Sequence, residues 1–201
     1  MNNCYLDAEA VITFFRMTGR KHIFITGSRG SGKSHLVNNM LKYMSDSFNL
    51  LQSHRTDTPQ VVIKSNLVVD NKEFVIGIPR TSGINPVSKG NNMTIIEDGF
   101  INCAIPAIDT HLDTTPERLF VIDELGYLES SCIPFQKAVE KLLDNSHVLA
   151  VIRKQSTEFL NRICNRKDVL VIDIDNTFET LSCIIMASGM SKRFGYNKLI
   201  T

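Results

Sequence analysis

The feature that most constrains the fold is a glycine-rich stretch at residues 27–34, GSRGSGKS, which directly follows the apolar run HIFIT. Its spacing satisfies G-x-x-x-x-G-K-[ST], the pattern of a phosphate-binding loop. Glycine permits backbone dihedral angles closed to other residues, so the N–H groups of such a loop can point inward at one anion. Apolar residues recur at helical spacing behind the loop, at Leu36, Val37, Met40, Leu41 and Met44. A strand, a glycine loop and a helix in this order predict a polyphosphate site at the start of that helix.

The residues of this loop have different roles according to their chemistry. Lys33 can reach the β- and γ-phosphates of a nucleotide, and the hydroxyl of Ser34 can bind Mg²⁺. We therefore expect Lys33 to act in catalysis as well as in binding, and Ser34 to be a metal ligand. The predicted nucleotide-binding residues are Gly27, Ser28, Arg29, Gly30, Ser31, Gly32, Lys33, Ser34 and His35.

A second apolar run, LFVIDELG at residues 119–126, contains two adjacent carboxylates. Asp123, at the C-terminal end of the predicted strand, is placed to hold Mg²⁺ through the water shell of the metal. Glu124 can polarise an attacking water molecule as a general base. Adjacent acidic residues at a strand end are also common as solvated loop carboxylates, so this assignment depends on the presence of the phosphate loop.

Basic residues follow one predicted strand and precede another. Arg153 and Lys154 come at the end of the run HVLAVI, and Arg166 and Lys167 lie in the turn CNRKD. Ligands of open α/β sheets bind where the strands end, so one of these cations can stabilise charge that develops on a γ-phosphate. We assign this catalytic role to Arg153. The alternative for each of the four is a solvated surface charge.

The rest of the chain alternates predicted strands with predicted helices. Residues 7–17 predict a short leading helix with Asp7 as its N-cap. Residues 61–78 are β-branched and broken at Asp70-Asn71, which predicts a hairpin or two short strands, and DGFINCAIPAI predicts a helix bent by Pro106. Several strands are apolar throughout, as expected when helices cover both faces of a parallel sheet. We predict an α/β fold of three layers with a mostly parallel central sheet.

Composition and charge exclude several classes of function. The 22 basic and 21 acidic residues give a net charge of +1, so we expect neither nucleic acid nor a membrane as a partner. No run approaches the roughly 18 apolar residues that a transmembrane helix requires. The five cysteines form no C-x-x-C pair and are expected to be reduced thiols. With no signal peptide at the start of the chain, we expect a cytoplasmic protein.

The order of the motifs resembles that of the small nucleoside-triphosphatases of the P-loop class, the NTPases first described from thermophiles. The resemblance lies in HIFITGSRGSGKSHL, VIDELGYLESSCIPFQKAV and NRKDVLVIDI, and it covers most of residues 21–180. It implies a P-loop NTPase fold and Mg²⁺-dependent hydrolysis of nucleoside triphosphates, ATP or GTP, with loose base preference. Tyr127 and Leu128 stand where the family usually has lysine and methionine, a departure that implies slower turnover or altered specificity.

The last stretch of the chain, IIMASGMSKRFGYNKLI, resembles the opening of the nucleotidyltransferases that attach a nucleotide to molybdopterin and related compounds. A glycine loop around Gly189 matches the loop that wraps the triphosphate there, and Arg193 and Lys198 match residues that neutralise charge. The resemblance implies that the chain is part of a longer fusion whose client is a molybdoenzyme or its cofactor. The alternative is that residues 177–187 form a closing helix of the first domain.

These resemblances imply three segments and leave three functions open. Residues 1–20 are expected to be an N-terminal helical extension, 21–180 the P-loop domain and 181–201 the start of a truncated nucleotidyltransferase-like domain. Hydrolysis of nucleoside triphosphates is the favoured function. The second is a nucleotide-gated accessory or chaperone module for delivery of a cofactor or metal. The third is a small-molecule kinase, which ranks last because adjacent aspartate and glutamate suit water as the acceptor.

Overall fold

The computed structural model describes residues 6–44, 47–80 and 93–176. The strands are β1 (His22–Gly27), β2 (Phe48–Arg55), β3 (Val61–Ser65), β4 (Phe74–Pro79), β5 (Met93–Ile95), β6 (Leu119–Leu125), β7 (His147–Arg153) and β8 (Val169–Asp173). The helices are α1 (Ala8–Thr18), α2 (Lys33–Met44), α3 (Glu97–Gly99), α4 (Ile105–Thr114), α5 (Ile133–Asn145) and α6 (Glu158–Cys164). The predictions for residues 177–187 and 181–201 lie outside the described residues.

The strands form one eight-stranded sheet in the order β5-β4-β3-β2-β6-β7-β1-β8. Strands β2, β6, β7, β1 and β8 pair in parallel, whereas β3, β4 and β5 extend the sheet as an antiparallel wing next to β2. Strand β7 therefore lies between β1, which leads into the glycine loop, and β6, which carries the two carboxylates. Because parallel strands end at the same edge of a sheet, the ends of β1, β6, β7 and β8 all meet there.

Helices cover both faces of the sheet. One face packs with α4, α5 and α6 around a core that includes Phe24, Phe120 and Phe135. The opposite face packs with α1 and α2 around Ile23, Ile25 and their neighbours. Successive residues of β1 thus point to opposite cores, which explains why the whole strand is apolar. The predicted three-layer α/β fold is confirmed.

Local predictions for the first helix and the hairpin are also confirmed. The side chain of Asp7 accepts hydrogen bonds from the backbone N–H groups of Glu9 and Ala10, as an N-cap does. Strands β3 and β4 pair antiparallel and are joined through a 3₁₀ turn at Val69–Asn71. Asp70 at this turn has a φ of 63°, a left-handed conformation that aspartate tolerates better than most residues.

The segment around Pro106 is helical, as predicted, but the irregularity precedes the proline. A π-helical stretch at Phe100–Ala104 joins α3 to α4, and Pro106 lies in the first turn of α4. Proline has no N–H to donate, so the widened turn occurs where the regular hydrogen-bond ladder cannot continue. Strands β2 and β5 were not predicted. Among the described residues, no helix has the length and apolar character that crossing a bilayer requires.

Candidate functional site

The glycine loop connects β1 to α2, as its motif predicts. Gly32 has a φ of 90°, in the left-handed region that favours glycine. A Cβ added at Gly27 would lie 2.8 Å from Ser31 Oγ, so the loop closes tightly where the strand ends. In the described part of the chain, Ser31 Oγ is buried without a hydrogen-bond partner. An orphaned hydroxyl inside a ring of glycines fits a loop that completes its hydrogen bonds with an anion.

Lys33, the first residue of α2, folds back over this loop. Its Nζ donates to the carbonyl oxygens of Gly27, at 2.9 Å, and of Ser28, at 2.7 Å. The ammonium group is therefore held at the mouth of the loop, where a polyphosphate would compete with two neutral carbonyls for its hydrogen bonds. A phosphate oxygen is the stronger acceptor because it is charged. Arg29, Ser34 and His35 are exposed around the same mouth.

A carboxylate after β8 anchors the start of the loop. Asp175 Oδ2 accepts from the backbone N–H of Ser28 at 2.8 Å and from the Ser28 hydroxyl at 2.7 Å. Lys154 Nζ is 2.9 Å from carboxylate oxygens of both Asp173 and Asp175. The hydrogen bond from Ser28, together with Lys154, lowers the pKa of Asp175 to about 2, so this anchor stays ionised near neutrality. Lys154, an alternative candidate for the catalytic cation, is therefore engaged with the loop anchor.

Asp123 lies in β6 opposite Gln52 of β2 in the parallel register. The side-chain amide of Gln52 donates to Asp123 Oδ2 at 2.9 Å. This bond fixes the orientation of the carboxylate and occupies one of its oxygens, which leaves the other for a cation. Carboxylate and hydroxyl oxygens are ligands that suit Mg²⁺, so Asp123 and Ser34 fit the chemistry of the predicted metal site.

Glu124 and Arg153, predicted as base and cation, are in direct contact. Arg153 Nε lies 2.8 Å from Glu124 Oε1, and the second guanidinium nitrogen Nη2 lies 3.1 Å from Oε2. The pairing register of β6 and β7 shifts between Ile122 and Leu125, at the two carboxylates. Glu124 has a φ of 75°, a left-handed conformation that costs energy for a residue with a side chain. The structure therefore aims this carboxylate at the tip of the neighbouring strand.

Tyr127 and Glu129, which both follow β6, also lie near Arg153. The Tyr127 ring lies 5.9 Å from the guanidinium carbon of Arg153, within cation–π range. Burial raises the pKa of Tyr127. Glu129 is only 6% exposed, and its Oε2 accepts from the Gly126 N–H at 2.9 Å. Burial raises the pKa of Glu129 to about 7. An acidic residue that changes charge near neutrality thus lies beside the Glu124–Arg153 pair.

The other two candidate cations lie elsewhere. Arg166 and Lys167 precede β8, so they are at the opposite edge of the sheet from the glycine loop. Arg166 there pairs with Asp144, at 2.9 Å, and Asp168, at 2.8 Å. The assumption that this turn faces the ligand crevice was wrong because a residue before a parallel strand lies at the strand's other end.

Sequence reasoning missed three polar residues of this edge: Gln52, Glu129 and Asp175. Gln52 was missed because β2 was not recognised, although Asn49 and Leu51 alternate with half-buried residues along it. Asp175 follows the apolar run of β8 much as Asp123 follows the apolar run LFVI within β6, so the same rule about strand ends could have found it. Nothing in the sequence GYLESS indicates that Glu129 is buried.

Comparison with known proteins agrees with this geometry. A family model described as NTPase matches residues 22–182. The chain is 26% identical over 155 residues to a nucleoside-triphosphatase THEP1 of Thermotoga sp. strain RQ2, covering 76% of this chain and 86% of that protein. A Thermotoga maritima protein of the same name is 23% identical over 154 residues, with the same coverage.

Two solved structures share the fold. The crystal structure of THEP1 from Aquifex aeolicus matches with a TM-score of 0.60 at 19% identity, over 81% of this chain and 96% of that one. The solution structure of a human cancer-related nucleoside triphosphatase matches with a TM-score of 0.56, also at 19% identity, over 82% of this chain and 95% of that one.

Proposed function

The chain belongs to the NTPase family, and on this premise we propose that it binds and hydrolyses nucleoside triphosphates, ATP or GTP, with Mg²⁺ as cofactor. The single observation that carries the proposal is the arrangement at one sheet edge. The glycine loop and Lys33 follow the end of β1, and the Glu124–Arg153 pair connects the ends of β6 and β7. The relatives named nucleoside-triphosphatase support the same reaction.

Binding is assigned to the loop and the residues around it. The backbone N–H groups of the loop and the N-terminus of α2 would receive the phosphates, and Lys33 would exchange its two carbonyl partners for phosphate oxygens. Ser34 and Asp123 would hold Mg²⁺, which when bound neutralises negative charge on the phosphates. Gln52 keeps the Asp123 carboxylate oriented for that task.

Hydrolysis is assigned to Glu124 and Arg153. Glu124 would accept a proton from the attacking water, and Arg153 would stabilise charge on the γ-phosphate. In the structure the Glu124 and Arg153 side chains bond to each other, so neither is available for its proposed task. Bound nucleotide offers Arg153 a more highly charged partner, so we propose that the pair opens on binding and frees the Glu124 carboxylate for water.

The same ion pair favours a second candidate, the nucleotide-gated accessory module. A base that is held by an arginine before turnover is suited to slow hydrolysis that a client accelerates by displacing that arginine. Very slow basal hydrolysis that rises on addition of a client would support this candidate. The predicted molybdenum-cofactor link and molybdoenzyme client rest on the sequence pattern of residues 185–201 alone and stay predictions, as does the kinase alternative.

The test of the proposed function is phosphate release from ATP and GTP by the full chain and by Glu124→Gln, with nucleotide binding measured by calorimetry. Loss of the base is expected to lower kcat by about 100-fold or more, with Kd within about threefold. Glu140→Gln is the matched control because Glu140, on α5, also pairs with an arginine: its Oε1 lies 2.6 Å from Nε of Arg162 on α6. Unchanged phosphate release by Glu124→Gln would show that Glu124 is not the base, and absence of nucleotide binding would reject the proposal.

A further inference from the structure

A short 3₁₀ turn after β6, at Glu129–Ser131, holds the backbone of Gly126 from both sides. The carboxylate of Glu129 accepts from the Gly126 N–H at 2.9 Å, and the hydroxyl of Ser130 donates to the Gly126 carbonyl at 2.6 Å. Gly126 is buried and comes two residues after Glu124. The turn therefore holds the backbone two residues after Glu124, whose own backbone is in the left-handed conformation.

This turn is itself fixed to two helices. Ser130 Oγ lies 2.9 Å from the hydroxyl of Thr157, which caps α6, and the Gln136 side chain of α5 donates to the Ser130 carbonyl at 2.6 Å. A Cβ added at Gly126 would lie 3.4 Å from Arg153 Cδ and 3.5 Å from Glu129 Oε2, so Arg153 and the Glu129 carboxylate lie on the same side of Gly126. Hydrogen bonds from two helices thus fix the turn that holds Gly126, and Arg153 lies close to that glycine.

From these contacts we infer that Glu129 is a positioning residue of the hydrolytic site: by holding Gly126, it keeps Glu124 in the left-handed conformation that directs its carboxylate toward the sheet edge, whether or not Arg153 is bonded to it. The inference rests on the proposed function, because it concerns the base of that reaction. A left-handed backbone at a glutamate persists only where its surroundings over-determine it, and the hydrogen bond that the buried Glu129 carboxylate accepts from the Gly126 N–H supplies such a constraint.

Because Glu129 can ionise, its positioning role is expected to show in the pH dependence of turnover. Glu129 faces Glu124 of β6, Arg153 of β7 and Tyr127, and it lines a cavity of about 50 Å³ together with His54 and Arg55 of β2. Burial raises its pKa to about 7, and the negative charge of Glu124 adds to this rise, against the opposing effects of backbone N–H groups and Arg153. When Glu129 ionises, Arg153 gains a second negative neighbour and its hold on Glu124 weakens. Turnover is therefore expected to rise with pH through about 7.

The experiment compares the unaltered chain with Glu129→Leu and Glu129→Gln. Glu129→Leu removes both the hydrogen bond and the charge, and is expected to lower kcat by about tenfold or more while the Kd for nucleotide stays within about twofold. Glu129→Gln keeps an acceptor for the Gly126 N–H but cannot ionise. It is expected to keep kcat near the value that the unaltered chain shows below pH 7, and to lose the inflection of the kcat profile near pH 7.

His111→Gln is the matched control, because His111 is also buried and hydrogen-bonded, to Asn49 at 2.8 Å and Ser146 at 2.6 Å, but at the opposite edge of the sheet. Equal losses of kcat in His111→Gln and Glu129→Leu would reduce Glu129 to a structural residue and overturn the inference. An unchanged inflection in Glu129→Gln would also overturn it, and this readout decides the matter if Glu129→Leu does not fold. If the unaltered chain hydrolyses nucleotide and Glu129→Leu matches its kcat, only this inference fails and the proposed function stands.

Discussion

Arg153 bonds both carboxylate oxygens of Glu124, with nitrogen–oxygen distances of 2.8 and 3.1 Å. Two parallel bonds between a planar guanidinium and a carboxylate fix direction as well as distance. Both side chains are about one-third exposed, so the pair lies at the surface of the crevice and not in the core. Its contribution to folding is accordingly small, and its geometry is of more consequence for the reaction than for stability.

Arg153→Lys tests that geometry. Lysine keeps the positive charge but has no planar guanidinium, so it neither pairs bidentately with Glu124 nor bonds two γ-phosphate oxygens at once. We expect kcat to fall by about tenfold or more, with the Kd for nucleotide within about threefold, measured by phosphate release and calorimetry. Arg162→Lys is the control, because Arg162 pairs with Glu140 on the surface of α6 and α5, away from the loop. Equal kcat values for Arg153→Lys and the unaltered chain would contradict the assigned role.

Lys33→Ala tests the grip on the phosphates. The Lys33 ammonium group bonds only neutral carbonyls in the described loop, so its removal leaves no buried charge unpaired, and the loop is expected to keep its shape. Nucleotide affinity is expected to fall by about 100-fold or more, because the main counter-charge of the phosphates is lost. Lys42→Ala, at the other end of α2, is the control. Calorimetric titration with ATP in the presence of Mg²⁺ makes the measurement, and equal affinities for the two variants would exclude Lys33 from the site.

Asp175→Ala tests the anchor of the loop. Without this carboxylate the Ser28 N–H and hydroxyl lose their acceptor, and Lys154 keeps only Asp173. We expect KM to rise about fivefold while kcat stays within about twofold, because a looser loop binds less well but leaves the base and its arginine in place. Asp109→Ala removes another exposed, ion-paired aspartate, the partner of Lys141, and is the control. A fall in kcat at constant KM would instead place Asp175 in the chemical step.

His22 makes stability depend on pH. It is fully buried at the start of β1, and burial lowers its pKa from 6.5 to about 4, a shift that Asp168 opposes. Between these two values the unfolded chain binds more protons than the folded one, so the free energy of unfolding falls as pH decreases from 6.5 to 4. The size of the effect is about 3.5 kcal/mol at most, at about 1.4 kcal/mol per unit of pKa.

Urea unfolding of the full chain over this range measures the effect. His22→Asn keeps an acceptor for the Val148 N–H, which donates to His22 Nδ1 at 3.2 Å, and removes the titrating ring. The slope of stability against pH is expected to flatten in His22→Asn and to persist in His147→Asn, whose ring is exposed nearby. A slope that survives in His22→Asn would assign it to other groups.

The parts of the fold that follow from the sequence are those with a local signal. The loop at residues 27–34, the apolar strand before Asp123 and the capped helix at Asp7 each carry their pattern within a few neighbouring residues. Strand β2 was missed because only part of it is buried, so its alternation is weak. Strand β5, at the outer edge of the sheet, has three residues, too few for a period to show.

The candidate site was predictable as a set of residues but not as a set of contacts. The rule that parallel strands end at one edge brought Glu124 and Arg153 together, yet nothing in the sequence showed that they bond to each other. That contact depends on the left-handed backbone of Glu124 and on the register shift beside it. Glu129 was missed for a related reason: its burial depends on the packing of α5 and α6 around the turn, and α6 begins only at Glu158.

The left-handed backbone at Glu124 costs folding stability at the position that the proposed reaction uses. Glycine and asparagine adopt a φ of 75° more readily than glutamate does, so replacing Glu124 with either relieves strain that the folded chain now carries. Glu124→Gly and Glu124→Asn are therefore expected to melt at a higher temperature than the unaltered chain. Under the proposed function, the chain carries this strain because the base is needed at this position, and stability alone would favour another residue.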